Sequence, residues 1–258
     1  MYSKRKPIGY NVGNEIIKQK KLTFICFILT FICIIWNVWD NKNTWVFYRQ
    51  PISVADMLID LQHASRFGIM MFPIMLFFIL RCKQDSLNLQ IVLRYGSRSR
   101  MLWNQLAESC VYALGMSTIL VLLESVIGFC FLGEWINWNS VSSRFYINTG
   151  FISDLCFGEI AAAVWLMYIL KYLLILFLMD MLLWYQKYLS LIWIPVLLAY
   201  ALDLPILELC VFHNLYSIQY SYAISRTELL LPLLIGTLLL IAEYLIGTIF
   251  IKKKDILQ

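Results

Sequence analysis

The apolar and polar positions of this chain fall into long blocks, not into the short alternations of a water-soluble fold. Six apolar runs stand out, at about 22–39, 64–80, 105–132, 160–183, 189–212 and 229–251. A bilayer core ~30 Å thick takes about 20 apolar residues as a helix. The helix satisfies every backbone polar group within itself, which an open strand in lipid does not. The pattern therefore predicts an all-α, polytopic membrane protein with six transmembrane helices. The second run is short and contains Pro73, and the fifth is interrupted by Pro195, Asp203 and Pro205. The first run spans 18 residues, longer than the ~7–15 of a signal peptide's apolar region. It ends in Trp36-Asn37-Val38-Trp39-Asp40 with no small-residue cleavage pattern, so it predicts a retained span. The segments 40–66 and 133–159 read as external loops, too small to be domains. Residues 1–258 are expected to form one transmembrane domain.

Composition sharpens this reading. Hydrophobic types make up 61% of the 258 residues and charged types 14%, and the mean hydropathy is +0.72. A soluble domain has about 45–50% apolar and about 25% charged residues. The excess is too large to hide inside a chain of this size. That excludes a soluble enzyme, a disordered chain and a nucleic-acid-binding domain. The net charge of +5 has a simpler source than nucleic acid. With the N-terminus in the cytoplasm, fifteen of the 21 Lys and Arg fall in inside segments, five fall outside, and Lys171 lies within a span. This asymmetry predicts cytoplasmic N- and C-termini in a cell membrane. Trp36, Trp39, Trp45, Trp103, Trp135, Trp138 and Trp184 lie near the predicted span ends, where amphipathic rings prefer the headgroup layer.

Chemistry-bearing motifs are sparse. The seven cysteines are odd in number and form no CxxC, so they read as small hydrophobes. His63 and His213 share no metal-ligand spacing, and no metal site is expected. There is no HExxH, no GxSxG and no phosphate loop of the form GxxxxGK followed by Ser or Thr. No catalytic residue and no cofactor is expected in this chain.

Charges within the apolar runs cost ~2.5–3.5 kcal/mol each on insertion scales, so each needs a reason. Glu124 in the third run and Lys171 in the fourth lie at similar depth, and we expect them to pair. The pair fixes helix register or lines a transport path. Glu243 lies in the sixth run with no basic residue at its depth. Asp203 and Glu208 lie near the outer end of the fifth. Together with Glu243 they would favour a cationic amphipathic cargo, or they hydrogen-bond neighbouring helices. Asp180 and Glu108 lie near inner span ends and are expected to be wetted or paired with interfacial Arg or Lys.

The segment between the second and third runs carries Arg81, Lys83, Arg94, Arg98 and Arg100. Residues 84–95 can form a short amphipathic helix with Leu87 and Ile91 on its apolar side, and Gly96 can end it. Such a helix either grips a soluble partner or lies on anionic lipid. The stretch Val92-Leu93-Arg94-Tyr95-Gly96-Ser97-Arg98-Ser99-Arg100-Met101-Leu102-Trp103 resembles the intracellular loop of type-2 ABC exporter permeases of Gram-positive bacteria. The resemblance implies a coupling helix that docks on an ATPase, with Leu87, Ile91, Arg94, Tyr95, Arg98 and Arg100 as its contacts. It also implies a second permease subunit, the same chain or a similar one, and a multi-pass place in a bacterial cell membrane. ATP and Mg would then be held by the partner ATPase, and the cargo would be a small peptide of the bacteriocin or lantibiotic kind. Such permeases tend to carry an amphipathic helix before the first span, for which 14–21 is suited. They also tend to have a broken external segment before the last, for which 202–228 is compatible. The competing reading is a membrane binding protein that works without ATP: an immunity protein, a sensor or a substrate-capture subunit. An integral membrane enzyme would require an acid or His essential for turnover.

Overall fold

The structure is a computed structural model that describes residues 16–47, 51–62, 72–83, 98–185 and 217–253. Eight α-helices are assigned within them: α1 (Lys20–Phe47), α2 (Val54–Leu61), α3 (Phe72–Lys83), α4 (Arg98–Leu132), α5 (Arg144–Thr149), α6 (Phe157–Tyr185), α7 (Ser221–Ile224) and α8 (Leu230–Lys253). A 3-10 turn, Arg226–Leu229, leads into α8. The described residues contain no strand. Four helical stretches are long and apolar enough to cross a membrane: Lys20–Asn43, Arg100–Leu132, Phe157–Met181 and Arg226–Ile249. They correspond to the first, third, fourth and sixth apolar runs. α3, 12 residues long and overlapping the second run over 72–80, is too short to span by itself. The fifth run, with Asp203 and Glu208, lies outside the described residues.

The long helices are apolar all round, as helices in lipid or in a packed bundle must be. Burial therefore separates them better than sequence pattern does. α6 is the hub, with Ile160, Val164, Met167, Tyr168 and Tyr172 in the main core. It packs most extensively against α4 and next against α8. α8 carries a nearly continuous exposed apolar surface, from Leu230 through Leu238 to Ile249. Gly236 is what brings α8 close to α6: a Cβ there would lie 2.6 Å from Leu170 Cδ2 and 2.9 Å from Leu170 Cγ. Small residues at such crossings let helices approach in lipid, where no hydrophobic force pulls them together.

α1 and α4 end at one pole of the bundle, where α6 and α8 begin. Lys42 on α1 donates to the Phe131 carbonyl in the last turn of α4 (2.8 Å), completing a carbonyl the helix leaves open. Gly133 follows in the left-handed conformation (φ 79°), its N–H donating to Phe129 O at 2.9 Å. At the opposite pole, Leu102 and Leu106 of α4 meet Phe177 of α6 and Tyr244 of α8. Trp103 packs against Tyr244 with ring centroids 5.1 Å apart.

The main departure from expectation is the segment 40–66, read above as an external loop. Its residues 40–47 extend α1, and residues 54–61 form α2, all eight of whose residues are buried. Ser53 caps α2 and closes a reciprocal capping box with Asp56. Because α2 packs beneath the 133–144 segment, this pole is a folded cap and not a pair of solvated loops.

Two glycine substitutions test the packing. Gly236→Val should lower the thermal midpoint in detergent, with an overpacking cost of about 1–3 kcal/mol. Gly115, with open space around it, should accept Ala with a gain of about 0.5–1 kcal/mol from helix propensity.

Candidate functional site

Several of the charged and hydrogen-bonding groups that leave the surface line up in one column. It runs from the cap, along α2, into the interior between α4 and α6. At the cap, Asp56 accepts from the Ser53 backbone N–H (2.9 Å), the Ser53 hydroxyl (2.7 Å) and the Trp138 indole N–H (3.0 Å). Trp138 is buried and stacks on Phe145 at 4.5 Å, and Tyr220 meets both rings edge-on. Its place in the cap core overturns the expectation of a headgroup-layer tryptophan. Ring and carboxylate are joined across 82 residues of sequence, a pairing that no local pattern signals.

One turn along α2, Asp60 forms a two-pronged ion pair with Arg144 of α5. Nη1 donates to Oδ2, and Nη2 donates to Oδ1 at 2.9 Å. The side chains are only 8% and 10% exposed. The Arg144 guanidinium also lies over the Tyr220 ring, 5.7 Å from its centroid. Arg144, in the segment 133–159, is not a solvated loop arginine: its planar fork binds a buried carboxylate. The Glu159–Arg226 pair nearby (3.3 Å) is largely exposed and contributes little.

These environments set the ionisation. Burial pushes the Asp56 carboxyl above its ordinary range; its bonds to Ser53 and Trp138 and a weaker contribution from Tyr220 offset only part of that. Burial opposes the Arg144 charge, but the bonds and charge of Asp60 more than offset it, and the guanidinium is held above its ordinary value. Burial, then the Asp56 and Asp60 charges, raise the Tyr220 phenol.

The column continues through Gln62, the residue that caps the end of α2. Its side-chain carbonyl accepts from the Ile218 backbone N–H (3.0 Å), its amide donates to Leu58 O (3.2 Å), and its backbone carbonyl accepts from Lys171 Nζ (3.2 Å). Lys171 and Glu124 have no exposed surface. The Tyr168 hydroxyl donates to both oxygens of Glu124, at 3.0 and 3.3 Å, and the charges of Glu124 and Lys171 interact. The two residues expected to pair are therefore in one cluster, with Tyr168 bonded to one and Gln62 to the other.

The remaining candidates are placed differently. Asp180 is not wetted: it is buried and accepts from the Ser109 hydroxyl at 2.5 Å, tying α6 to α4. Glu243 is half-buried on α8, and its Oε2 accepts no hydrogen bond among the described residues. Arg100 is exposed in the first turn of α4, and the backbone of Arg98 starts that helix. Leu87, Ile91, Arg94 and Tyr95 lie outside the described residues. Among the described residues no group of three or more His, Cys, Asp or Glu is placed to hold a metal. The six described cysteines are free thiols. A shallow hollow of about 520 Å³ lies on the cap, lined by residues that include Glu134, Trp135 and Asn137. Chemically the column holds charge and hydrogen bonds in fixed places, and nothing in it pairs a nucleophile with a base. No family model matches the chain, and neither a curated protein nor a solved structure matches it.

Two measurements probe the column. Removing one partner of a buried pair strands the other charge, so Arg144→Ala should cost about 3–5 kcal/mol. The double change Asp60→Leu/Arg144→Met should recover much of that in detergent unfolding. For Asp56, an acid raised in the folded state contributes its stability fully below the ordinary Asp range. That contribution is lost as pH rises through the raised value. Stability measured from about pH 4 to 8 should therefore fall with rising pH more steeply in the native chain than in Asp56→Asn.

Proposed function

We propose that this chain is the membrane subunit of an ABC exporter, moved by ATP that a separate subunit hydrolyses. The observation that carries the reading is the continuity of α4. It starts at Arg98, inside the stretch that resembles the intracellular coupling loop, and runs unbroken for 35 residues to the cap. At 1.5 Å per residue that is about 52 Å, well beyond the ~30 Å of a hydrocarbon core. The excess leaves the Arg98–Arg100 turn outside the lipid, where an ATPase can grip it. A push there acts on a rigid rod. The rod touches α8 through Trp103 and Tyr244, α6 through Ser109 and Asp180, and α2 at its far end.

Other features favour the same assignment. The Lys and Arg bias places 84–97 and both termini in the cytoplasm and the cap outside. The short helical pieces at 221–229, before the last long helix, fit the broken external segment of such permeases. Residues 1–258 carry no phosphate loop, which fits an engine on another subunit. The cargo reading, a small peptide exported across a bacterial cell membrane, rests on the resemblance. A second permease copy would supply the other wall of the path. The alternative, a binding or immunity protein without ATP, is favoured by the folded cap with its surface hollow.

The test is co-purification from mild detergent followed by mass spectrometry. A stoichiometric ATPase is the expected result. Arg98→Glu/Arg100→Glu should then reduce ATPase recovery or cargo-stimulated hydrolysis at least tenfold. A pure chain with no ATPase would support the ATP-independent reading, and full coupling in the double variant would remove the Arg98–Arg100 turn as the contact.

A further inference from the structure

We propose that α2 is a displaceable plug, latched by the Asp60–Arg144 pair, that closes the cap-end approach to the buried cluster of Glu124, Tyr168 and Lys171. The inference stands on the geometry of the cap and does not require an ATPase.

α2 is unusual among the buried elements. It has eight residues, too few to cross a membrane, and two of them are aspartates. Its six apolar residues sit in the main core, and its two aspartates need polar partners there. The polar holds come from the cap. Val54 N–H donates to Glu134 O (3.0 Å) and Ala55 N–H to Trp135 O (3.1 Å). Asp56 takes the Trp138 indole, Asp60 takes Arg144, and Gln62 takes Ile218 N–H. By contrast, the contact with the α4 rod at Gly128 is made by the thioether end of Met57 and by Val54 Cγ1. An unbranched thioether on a bare glycine surface repacks readily. Polar attachment to the loops and an adaptable apolar contact with the long helix are what a piece that moves with the cap requires.

The position of α2 gives the movement a consequence. The carbonyl that receives Lys171 belongs to Gln62, directly at the end of α2. α2 packs against α6, which carries Tyr168 and Lys171, as well as against α4, which carries Glu124. With α2 seated, Glu124 and Lys171 are completely covered. Withdrawing α2 takes the Gln62 carbonyl away from Lys171 and opens the interior beside it from the cap side in the same step. The latch sits at the cap, where solvent or a ligand reaches first; the charges it guards sit between the long helices.

The test uses the full chain in lipid nanodiscs, with both faces open to reagent, on a background in which the seven native cysteines are replaced. Leu58→Cys probes α2, and Val164→Cys in α6 serves as the control; neither native side chain has exposed surface. A charged, membrane-impermeant thiol reagent should label Leu58→Cys at least tenfold faster in Asp60→Asn or Arg144→Gln than with the latch intact. Val164→Cys should stay unreactive throughout. In Asp60→Asn, Lys171 should also become modified by a water-soluble amine-reactive ester, read by peptide mass spectrometry. Equal labelling of Leu58→Cys with and without the latch would overturn the proposal. So would parallel labelling of Val164→Cys, which marks general loosening, or continued protection of Lys171. Hydrogen exchange on the native chain needs no variant. Amides of residues 57–61 should exchange faster than those of residues 116–128 in α4, and equal protection would count against a separately moving plug.

Discussion

The bidentate contact between Asp60 and Arg144 is the constraint around which the cap is organised. A carboxylate and a guanidinium removed from water have few tolerable arrangements. Here both terminal nitrogens of the fork meet both carboxylate oxygens, and the Tyr220 ring covers the cation. Once that pair is placed, α5 is fixed over α2. Trp138 can then reach Asp56, and the 217–220 segment closes against Gln62. Gln62 in turn fixes the ammonium of Lys171. A charged contact in the cap and a charge buried between the long helices are thus members of one column.

The same reasoning explains why the interior charges are tolerated. In a dry environment every polar atom needs a protein partner, and the expense falls on whichever is left alone. Glu124 has Tyr168, Lys171 has Gln62, and Asp180 has Ser109. Each partner comes from a different helix or connection than the charge it serves. The charges therefore act as registration points between elements whose apolar surfaces would otherwise slide. Register and transport are compatible roles for such groups: a fixed polar contact that can be exchanged for another is a switch point.

Much of this was readable in the sequence, but unevenly. Length and hydropathy alone identify the four long helices, because a run of 20 apolar residues has few other uses. Glu124 and Lys171 stand out because a charge within such a run is expensive wherever it sits. The cap was not readable. α2 is short, its period is visible over barely two turns, and Ser53 with Asp56 is a modest capping signal. What buries it are Trp138, Arg144 and Ile218, which lie 82, 84 and 156 residues from their partners. Arg144 looks like any positive residue in a loop until Asp60 is placed opposite it. Trp138 looks like an interfacial ring until Asp56 is found beneath it. The bond from Ser109 to the buried Asp180 was hidden for the same reason: Ser109 is an inconspicuous residue on another helix.

The central claim is that the cap latch and the buried pair are energetically one unit, joined through α2 and Gln62. A double-mutant cycle between Arg144→Gln and Lys171→Met, read by reversible unfolding in mixed micelles, measures that link directly. The account predicts a coupling energy of at least about 1 kcal/mol, because either change alone loosens the element that both residues hold. Additivity within about 0.5 kcal/mol, the behaviour of independent sites, would contradict it.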